Sequence, residues 1–323
     1  MAHGFAVANP IPGSSIGLIA PPGDGTELID WTGERVDAIR DLLSERGALL
    51  FRGFASTPVD GLERFLRLFS GQLLTYMNQS TPRTQVNGNV YTTTEYPANH
   101  TIPQHCEMAY HRDWPMLLAF QCVVPPETGG ETPLADMDRV TARIGADRMA
   151  KFRDRGVMYV RNYGHGVDLP WQKVFQTDSP AEVEEYCRAN GMEFEWKEDG
   201  LLRTAHACQG TARHPRTGRE VWFNQANLFH VSSLPPNLQE AMIAMFGEDD
   251  LPRNAYHNDG SAIDPADLDA VRAAFDAETV AFPWLAGDVL LIDNMRYSHG
   301  RNPFTGSRRV VVAMCDAHSA VAR

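Results

Sequence analysis

A histidine and a carboxylate two residues apart, His105 and Glu107, close the stretch Ile102-Pro103-Gln104-His105-Cys106-Glu107. In an extended chain, alternation puts both side chains on one face. Two imidazoles and one carboxylate on one face suit iron(II) in sites that keep positions open for reactants. His299, far along the chain, is the candidate for the second imidazole. Spacing alone does not choose, because the His-x-acid pattern occurs three times: His105/Glu107, His111/Asp113 and His257/Asp259. His257-Asn258-Asp259-Gly260 has the composition of a turn and reads as surface. His111-Arg112-Asp113 is a rival by spacing. Cys106 is a soft donor, but alternation turns it away from its neighbours' face.

Those residues need elements to position them. Ala48–Phe54 reads as a buried strand, Leu117–Val124 as another ending at Pro125-Pro126, and Arg153–Tyr163 and Val221–Asn224 as further extended stretches. Gly287–Asn294 leads toward His299, and Arg308–Val312 is strand-like. Helices are expected over Gly33–Glu45 with Thr32 as cap, over Val59–Phe69, and over Pro236–Phe246. Ser179-Pro180-Ala181-Glu182 is a capping box with Pro at the first helical position, stopped near Gly191. Asp264 caps a helix over Pro265–Asp276, with Leu268, Val271 and Phe275 as its buried stripe. Trp114, Trp222 and Trp284 read as core. Residues 1–30 are expected to be irregular. Residues 75–104 are polar and long enough to serve as a lid over the site. Many short strands with helices between them point to a mainly β fold, a jelly roll with α insertions. One domain over residues 1–323 is expected, with a helical and loop insertion at 140–280.

Composition narrows the function classes. A net charge of -12 argues against a general nucleic-acid binder. No run of 18 apolar residues suggests a membrane span, and Met1-Ala2-His3-Gly4 lacks the start of a signal peptide. Five scattered cysteines (106, 122, 187, 208 and 315) without a Cys-x-x-Cys pair fit free thiols in a reducing cytoplasm.

Taken together, His105-Cys106-Glu107, Gly129-Gly130-Glu131-Thr132 and the run from Asp293-Asn294 through His299 to Arg309 resemble the taurine dioxygenase-like (TauD/TfdA) superfamily. The resemblance spans most of the chain, from Gly47 to Met314. It is closest to the Glu-ligand branch of clavaminate synthase-like and amino-acid hydroxylating enzymes. It implies a double-stranded β-helix, cupin-like in form and flanked by helices, with iron(II) as cofactor and 2-oxoglutarate and dioxygen as cosubstrates. It also implies metal ligands at His105, Glu107 and His299, with Thr132 and Arg309 holding the distal carboxylate of 2-oxoglutarate. A guanidinium fork matches a carboxylate. Arg308 is the neighbouring alternative and would point to the opposite strand face.

Two departures bear on substrate. Ala313 stands where the taurine enzyme carries a second, sulfonate-gripping arginine, so a small sulfonate is disfavoured. Glu107 is retained where related halogenases have Ala or Gly, so chloride has no vacant position. The expected substrate is an amino acid or a derivative, free or on a peptidyl carrier protein, in specialised metabolism, and hydroxylation is the expected outcome. Desaturation, cyclisation or epoxidation on the same site is the alternative. A metal-binding β-barrel hydrolase or binding protein is the rival of another class, which has no need of a dicarboxylate clamp. Candidate substrate residues are Asn89, Tyr91, Arg112, Asp113, Asn224 and His230.

Overall fold

The computed structural model describes residues 4–55, 61–74, 85–92, 96–164 and 166–320. Most of its strands are short, and two, Asp113–Val124 and Arg309–Ser319, are long. The first set is β1 (Gly17–Ile19), β2 (Ala48–Phe51), β3 (Gln85–Asn87), β4 (Val90–Thr92), β5 (Ile102–His105), β6 (Asp113–Val124) and β7 (Leu134–Asp136). A long excursion then carries β8 (Val157–Tyr163), β9 (Glu193–Trp196), β10 (Leu202–Cys208) and β11 (Arg253–Tyr256). The chain returns through β12 (Thr279–Val280), β13 (Val289–Asp293), β14 (Tyr297–Arg301) and β15 (Arg309–Ser319).

These strands build a seven-stranded sheet of order β1-β2-β13-β6-β15-β4-β3 and a four-stranded sheet of order β12-β7-β14-β5. β1 pairs parallel with β2, and the other pairings in both sheets are antiparallel. Alternation along the long central strands sorts their side chains into two cores. Leu118, Phe120, Leu290, Ile292, Val310 and Val312 join Leu134 and Tyr297 of the smaller sheet in one apolar cluster. Leu117, Ala119, Leu291, Val311 and Ala313 face the other way, into the cluster formed with Ile39, Leu42, Phe65 and Leu66 of the helices Val36–Arg46 and Gly61–Arg67. Strands buried on both faces carry continuous apolar runs, as these do. The result is the double-stranded β-helix that the family resemblance implies, mainly β with helices around it. The excursion supplies a third sheet of order β9-β10-β8-β11, packed on the same core through Val157, Tyr159, Cys208 and Ala255.

Helix boundaries follow local stop signals. The helix expected from Gly33 begins at Val36. Thr32 lies inside a separate short helix, Leu28–Gly33, instead of capping the longer one. Gly47 ends the longer helix at φ 80°, a left-handed conformation suited to glycine. The extended stretch expected from Arg153 starts at Val157, because the helix Ala146–Arg155 runs up to Gly156 at φ 59°. Ser179 and Asp264 cap their helices as expected, accepting from the amides of Glu182 and Ala266. Leu268, Val271 and Phe275 are buried, as are Trp114, Trp222 and Trp284. His257 is buried as well, although its turn reads as surface; its Nδ1 lies 3.2 Å from the Gly156 carbonyl. Of the segment 75–104 proposed as a lid, residues 75–84 and 93–95 lie outside the described residues, and the remainder contains β3, β4, β5 and a turn. Among the described residues, no helix is long and apolar enough to cross a membrane.

Leu291 lies fully buried on β13, between β2 and β6. Leu291→Ala should lower unfolding stability by about 2–5 kcal/mol, because it removes transfer energy and leaves a cavity. Urea denaturation checks this: the midpoint should fall with the slope unchanged. A midpoint equal to wild type would show that the central strand is not close-packed.

Candidate metal centre

Strand register brings the two histidines together. β5 and β14 pair antiparallel with His105 directly opposite His299, and the ring centroids are 4.4 Å apart. Glu107 lies beyond the end of β5, in a turn, so strand alternation does not aim it. Its Oε2 nevertheless comes 3.7 Å from His299 Nε2. One ligand atom from each of His105, Glu107 and His299 lies within 4.8 Å of the others, the only such group of three or more among the described residues.

The donor set suits a divalent ion. Nδ1 of His105 is 2.8 Å from the Pro103 carbonyl, which leaves Nε2 for a metal. His299 and Glu107 are buried, and Nδ1 of His299 meets no partner among the described residues. The ring atom that faces Glu107 is Nε2, 3.7 Å from Oε2 and beyond hydrogen-bond reach, and a cation seated between them would engage both. The ring of Phe120 lies 5.1 Å from that of His299 and walls the site with apolar surface.

The loop after β5 is held by side chains because it has no strand partner. Asn294 accepts from the Glu107 amide at 2.7 Å and donates to the Glu107 carbonyl at 2.9 Å. Gln225 donates to the Cys106 carbonyl at 2.8 Å. Gln209 donates to the carbonyls of Ala109 and His111, and the Cys208 thiol to that of Tyr110. Burial, with Asp293 and Glu107 nearby, pushes the Cys106 thiol well above the usual range, so it stays a neutral core group. Reading the sequence for donor types missed Gln209, and missed that Asn294 and Gln225 hold this loop. Amide side chains carry no spacing signature of their own.

The rival pair is committed elsewhere. His111 Nδ1 accepts from the Asp113 amide at 3.1 Å, and Nε2 lies 3.3 Å from the Tyr186 hydroxyl. Burial lowers the His111 pKa, so the ring is held neutral.

Next to the triad, the two neighbouring arginines are placed differently. Arg309 begins β15 with its side chain exposed. Arg308 is the inward residue. Its Nε donates to the Gly130 carbonyl at 2.8 Å, and its Nη2 stands 3.5 Å from Thr132 Oγ1, at the outer limit of a hydrogen bond. Buried Thr132 also accepts from Trp284 Nε1 at 3.1 Å. Val310 and Val312 are buried between the sheets, and Ala313 faces the helix layer. Burial first, then Arg301, pushes the Arg308 pKa down to about 10, partly offset by Cys122 and Glu131. The guanidinium therefore remains charged at neutral pH. Gly130 has φ 68°, and a Cβ there would meet Arg308 Cδ at 3.0 Å, so the close approach needs glycine.

The candidate substrate residues separate into groups. Tyr91 is buried in the same inter-sheet cluster as Phe120 and Val312. Asn89 is half-buried in the turn between β3 and β4. Arg112 donates to the Ala207 carbonyl at 2.9 Å, and half-buried Asp113 opens β6. Asn224 bonds the Gly210 carbonyl and the Ala226 amide, so its amide serves the local backbone. His230 caps the turn at Ser232, and burial followed by Arg272 pushes its pKa down to about 4.

Known proteins resemble the chain along most of its length. The family described as "Taurine catabolism dioxygenase TauD, TfdA family" matches residues 9–315. The chain is 42% identical over 278 residues to the dapdiamide synthesis protein DdaC of Enterobacter agglomerans, covering 86% of this chain and 84% of that one. It is 35% identical over 292 residues to a clavaminate synthase-like protein of Arabidopsis thaliana, covering 85% and 83%. Among solved structures, PvcB, described as an Fe, alpha-ketoglutarate dependent oxygenase from an isonitrile synthetic pathway, superposes with TM-score 0.53 at 15% identity over 94% of this chain and 88% of that one. A taurine dioxygenase from Burkholderia xenovorans gives TM-score 0.54 at 15% identity over 96% and 88%. At these identities the structural likeness speaks to the fold.

Ala substitution of His105, Glu107 or His299 should each abolish turnover and lower bound iron measured by metal analysis, while His111→Ala keeps its iron. Retained iron in His105→Ala, with loss in His111→Ala, would refute the triad.

Proposed function

This chain belongs to the TauD, TfdA family of dioxygenases, and we propose that within it the chain oxidises an aliphatic C–H bond of an amino acid or amino-acid-derived substrate. As a member of that family it is an enzyme that uses iron and 2-oxoglutarate. The proposed outcome is hydroxylation: substrate, dioxygen and 2-oxoglutarate become hydroxylated product, succinate and carbon dioxide. When bound, the iron with its cosubstrates supplies the oxidising power for removing hydrogen from carbon.

The protein's own residues bind and orient. We assign His105, Glu107 and His299 as the three protein ligands, a set that leaves positions free for reactants. We assign Arg308, in place of Arg309, with Thr132 to the distal carboxylate of 2-oxoglutarate. A charged fork beside a hydroxyl, walled by Trp284 and Phe120, gives a dicarboxylate one orientation and excludes water around it.

The observation that carries the amino-acid reading is a buried ion pair beside the metal loop. Arg161, on the β8 face that carries Tyr159, pairs with Asp168 at 3.2 Å, and Arg253 reaches the same carboxylate at 2.6 Å. The Tyr159 ring lies 6.4 Å from that of Tyr110, three residues past Glu107. Fixed groups of both signs suit the ends of a zwitterion better than a bare anion. Val312 supports this too. It stands four residues beyond Arg308 and, like Ala313 beside it, offers no second cation for a sulfonate. The relatives named for dapdiamide synthesis and for likeness to clavaminate synthase support a place in specialised metabolism.

Oxygen consumption and succinate release should be tested with taurine, aryloxyacetates, free amino acids and carrier-linked amino acids. Coupled turnover with either of the last two, and a product heavier by one oxygen, is the expected result. Coupled turnover of a sulfonate or aryloxyacetate with no response to any amino acid would refute the substrate class.

Arg308→Ala should raise the KM for 2-oxoglutarate roughly ten- to a hundredfold, because a charged hydrogen bond is worth about 1.5–3 kcal/mol. Arg309→Ala should leave that KM unchanged. The reverse pattern in steady-state kinetics would restore Arg309 to the site.

A further inference from the structure

We propose that Asn294 is the positioning residue that aims Glu107 at the metal. The proposal rests on the assignment of His105, Glu107 and His299 as ligands. β5 ends at His105, so no strand partner fixes the Glu107 backbone. Asn294 does so from the other end of the chain. Its Oδ1 accepts the Glu107 N–H at 2.7 Å, and its Nδ2 donates to the Glu107 C=O at 2.9 Å. A grip on both backbone groups of one residue sets how that residue is rotated, and hence where its carboxylate points. Met108, the next residue, adopts φ 57°, so the chain turns sharply where the grip ends.

Asn294 is itself anchored. It is fully buried, its Nδ2 also donates to the Pro115 carbonyl at 2.8 Å, and its backbone amide donates to Met116 at 2.8 Å. Its neighbour Asp293 is pinned in turn. The Asp293 amide donates to Gly47, and its carboxylate accepts from the Met295 amide and from His214 Nε2 at 2.8 Å. His214 Nδ1 accepts from the amides of Arg216 and Thr217, which fixes the ring with Nε2 toward Asp293. The end of β13 is therefore a rigid anvil that sets the carboxylate ligand, while the β5–β14 register sets the two imidazoles. Supporting partners of metal ligands hold the ligand in its binding geometry, and their loss typically weakens metal binding roughly ten- to a hundredfold.

A buried asparagine that merely satisfied a turn would affect stability alone, so the test reads metal affinity. Mn(II) serves as the probe, its free concentration followed by electron paramagnetic resonance, with circular dichroism and urea unfolding to monitor the fold. Asn294→Ala should bind Mn(II) roughly ten- to a hundredfold more weakly while remaining folded. Asn162→Ala is the control. Asn162 is equally buried and donates to the carbonyls of Leu251 and Asp249, away from the metal loop. It should lose stability and keep Mn(II) affinity. Wild-type affinity in Asn294→Ala, or an equal loss in Asn162→Ala, would overturn the proposal. His105→Ala separates the two levels: if it binds Mn(II) as wild type does, the ligand assignment fails, and with it the basis of the proposal. Should Asn294→Ala not fold, hydrogen exchange on the wild type decides. The Glu107 amide should be protected in metal-free protein and unchanged by Mn(II). Free exchange that Mn(II) abolishes would show that the metal, not Asn294, orders the loop.

Discussion

Antiparallel pairing of β5 with β14 is the constraint on which the site depends. Directly opposite residues in such a pair have neighbouring side chains on one face. With His105 opposite His299, the two imidazoles meet although 193 residues separate them in the chain (299 − 105 − 1 = 193). A slip of one residue would move one ring to the other face and dissolve the pair. The slip is opposed from both sides. β14 also pairs with β7 on its other edge, and Tyr297 of β14 is buried among the apolar side chains between the sheets.

The carboxylate obeys a different rule. It belongs to a buried turn, and buried turns carry backbone groups that need partners. Here the partners are side chains from three places: Asn294 after β13, and Gln209 and Gln225, which both belong to the excursion between β7 and β12. The excursion therefore does more than cover the core. It supplies the donors that let an irregular segment lie inside the protein, and it brings Arg161, Asp168 and Tyr159 to the same side.

Charge follows burial around Arg308. Arg308 lies in a setting that lowers its pKa, with Arg301 close by. Arg301 spends its own guanidinium on the carbonyls of Tyr96, Pro97 and His100, which ties the segment before β5 to β14. Burial and Arg301 lower the Arg308 pKa, and Cys122 and Glu131 raise it. Gly129 and Gly130, both at positive φ, leave room for the Gly130 carbonyl to approach Arg308.

Much of this was legible in the residues themselves. Local patterns marked the capped helices at Ser179 and Asp264 and the mainly β class, because each depends on short-range periodicity; donor types offered His105, Glu107 and His299 as candidates, and the family resemblance chose them over His111 and Asp113. The choice between Arg308 and Arg309 was not legible. The strand that follows them is Val310-Val311-Val312, apolar at every position because both its faces are buried, so alternation left no mark of which side is inward. Nor did local order place Glu107, since the strand that was expected to carry it stops at His105. Asn224 and His230 looked available as polar loop residues until their neighbours in space took their hydrogen bonds. Residue types and spacing determined which atoms could do the chemistry. Register, strand facing and the pairing of buried backbone groups are relations between distant segments, and only the tertiary structure decided them.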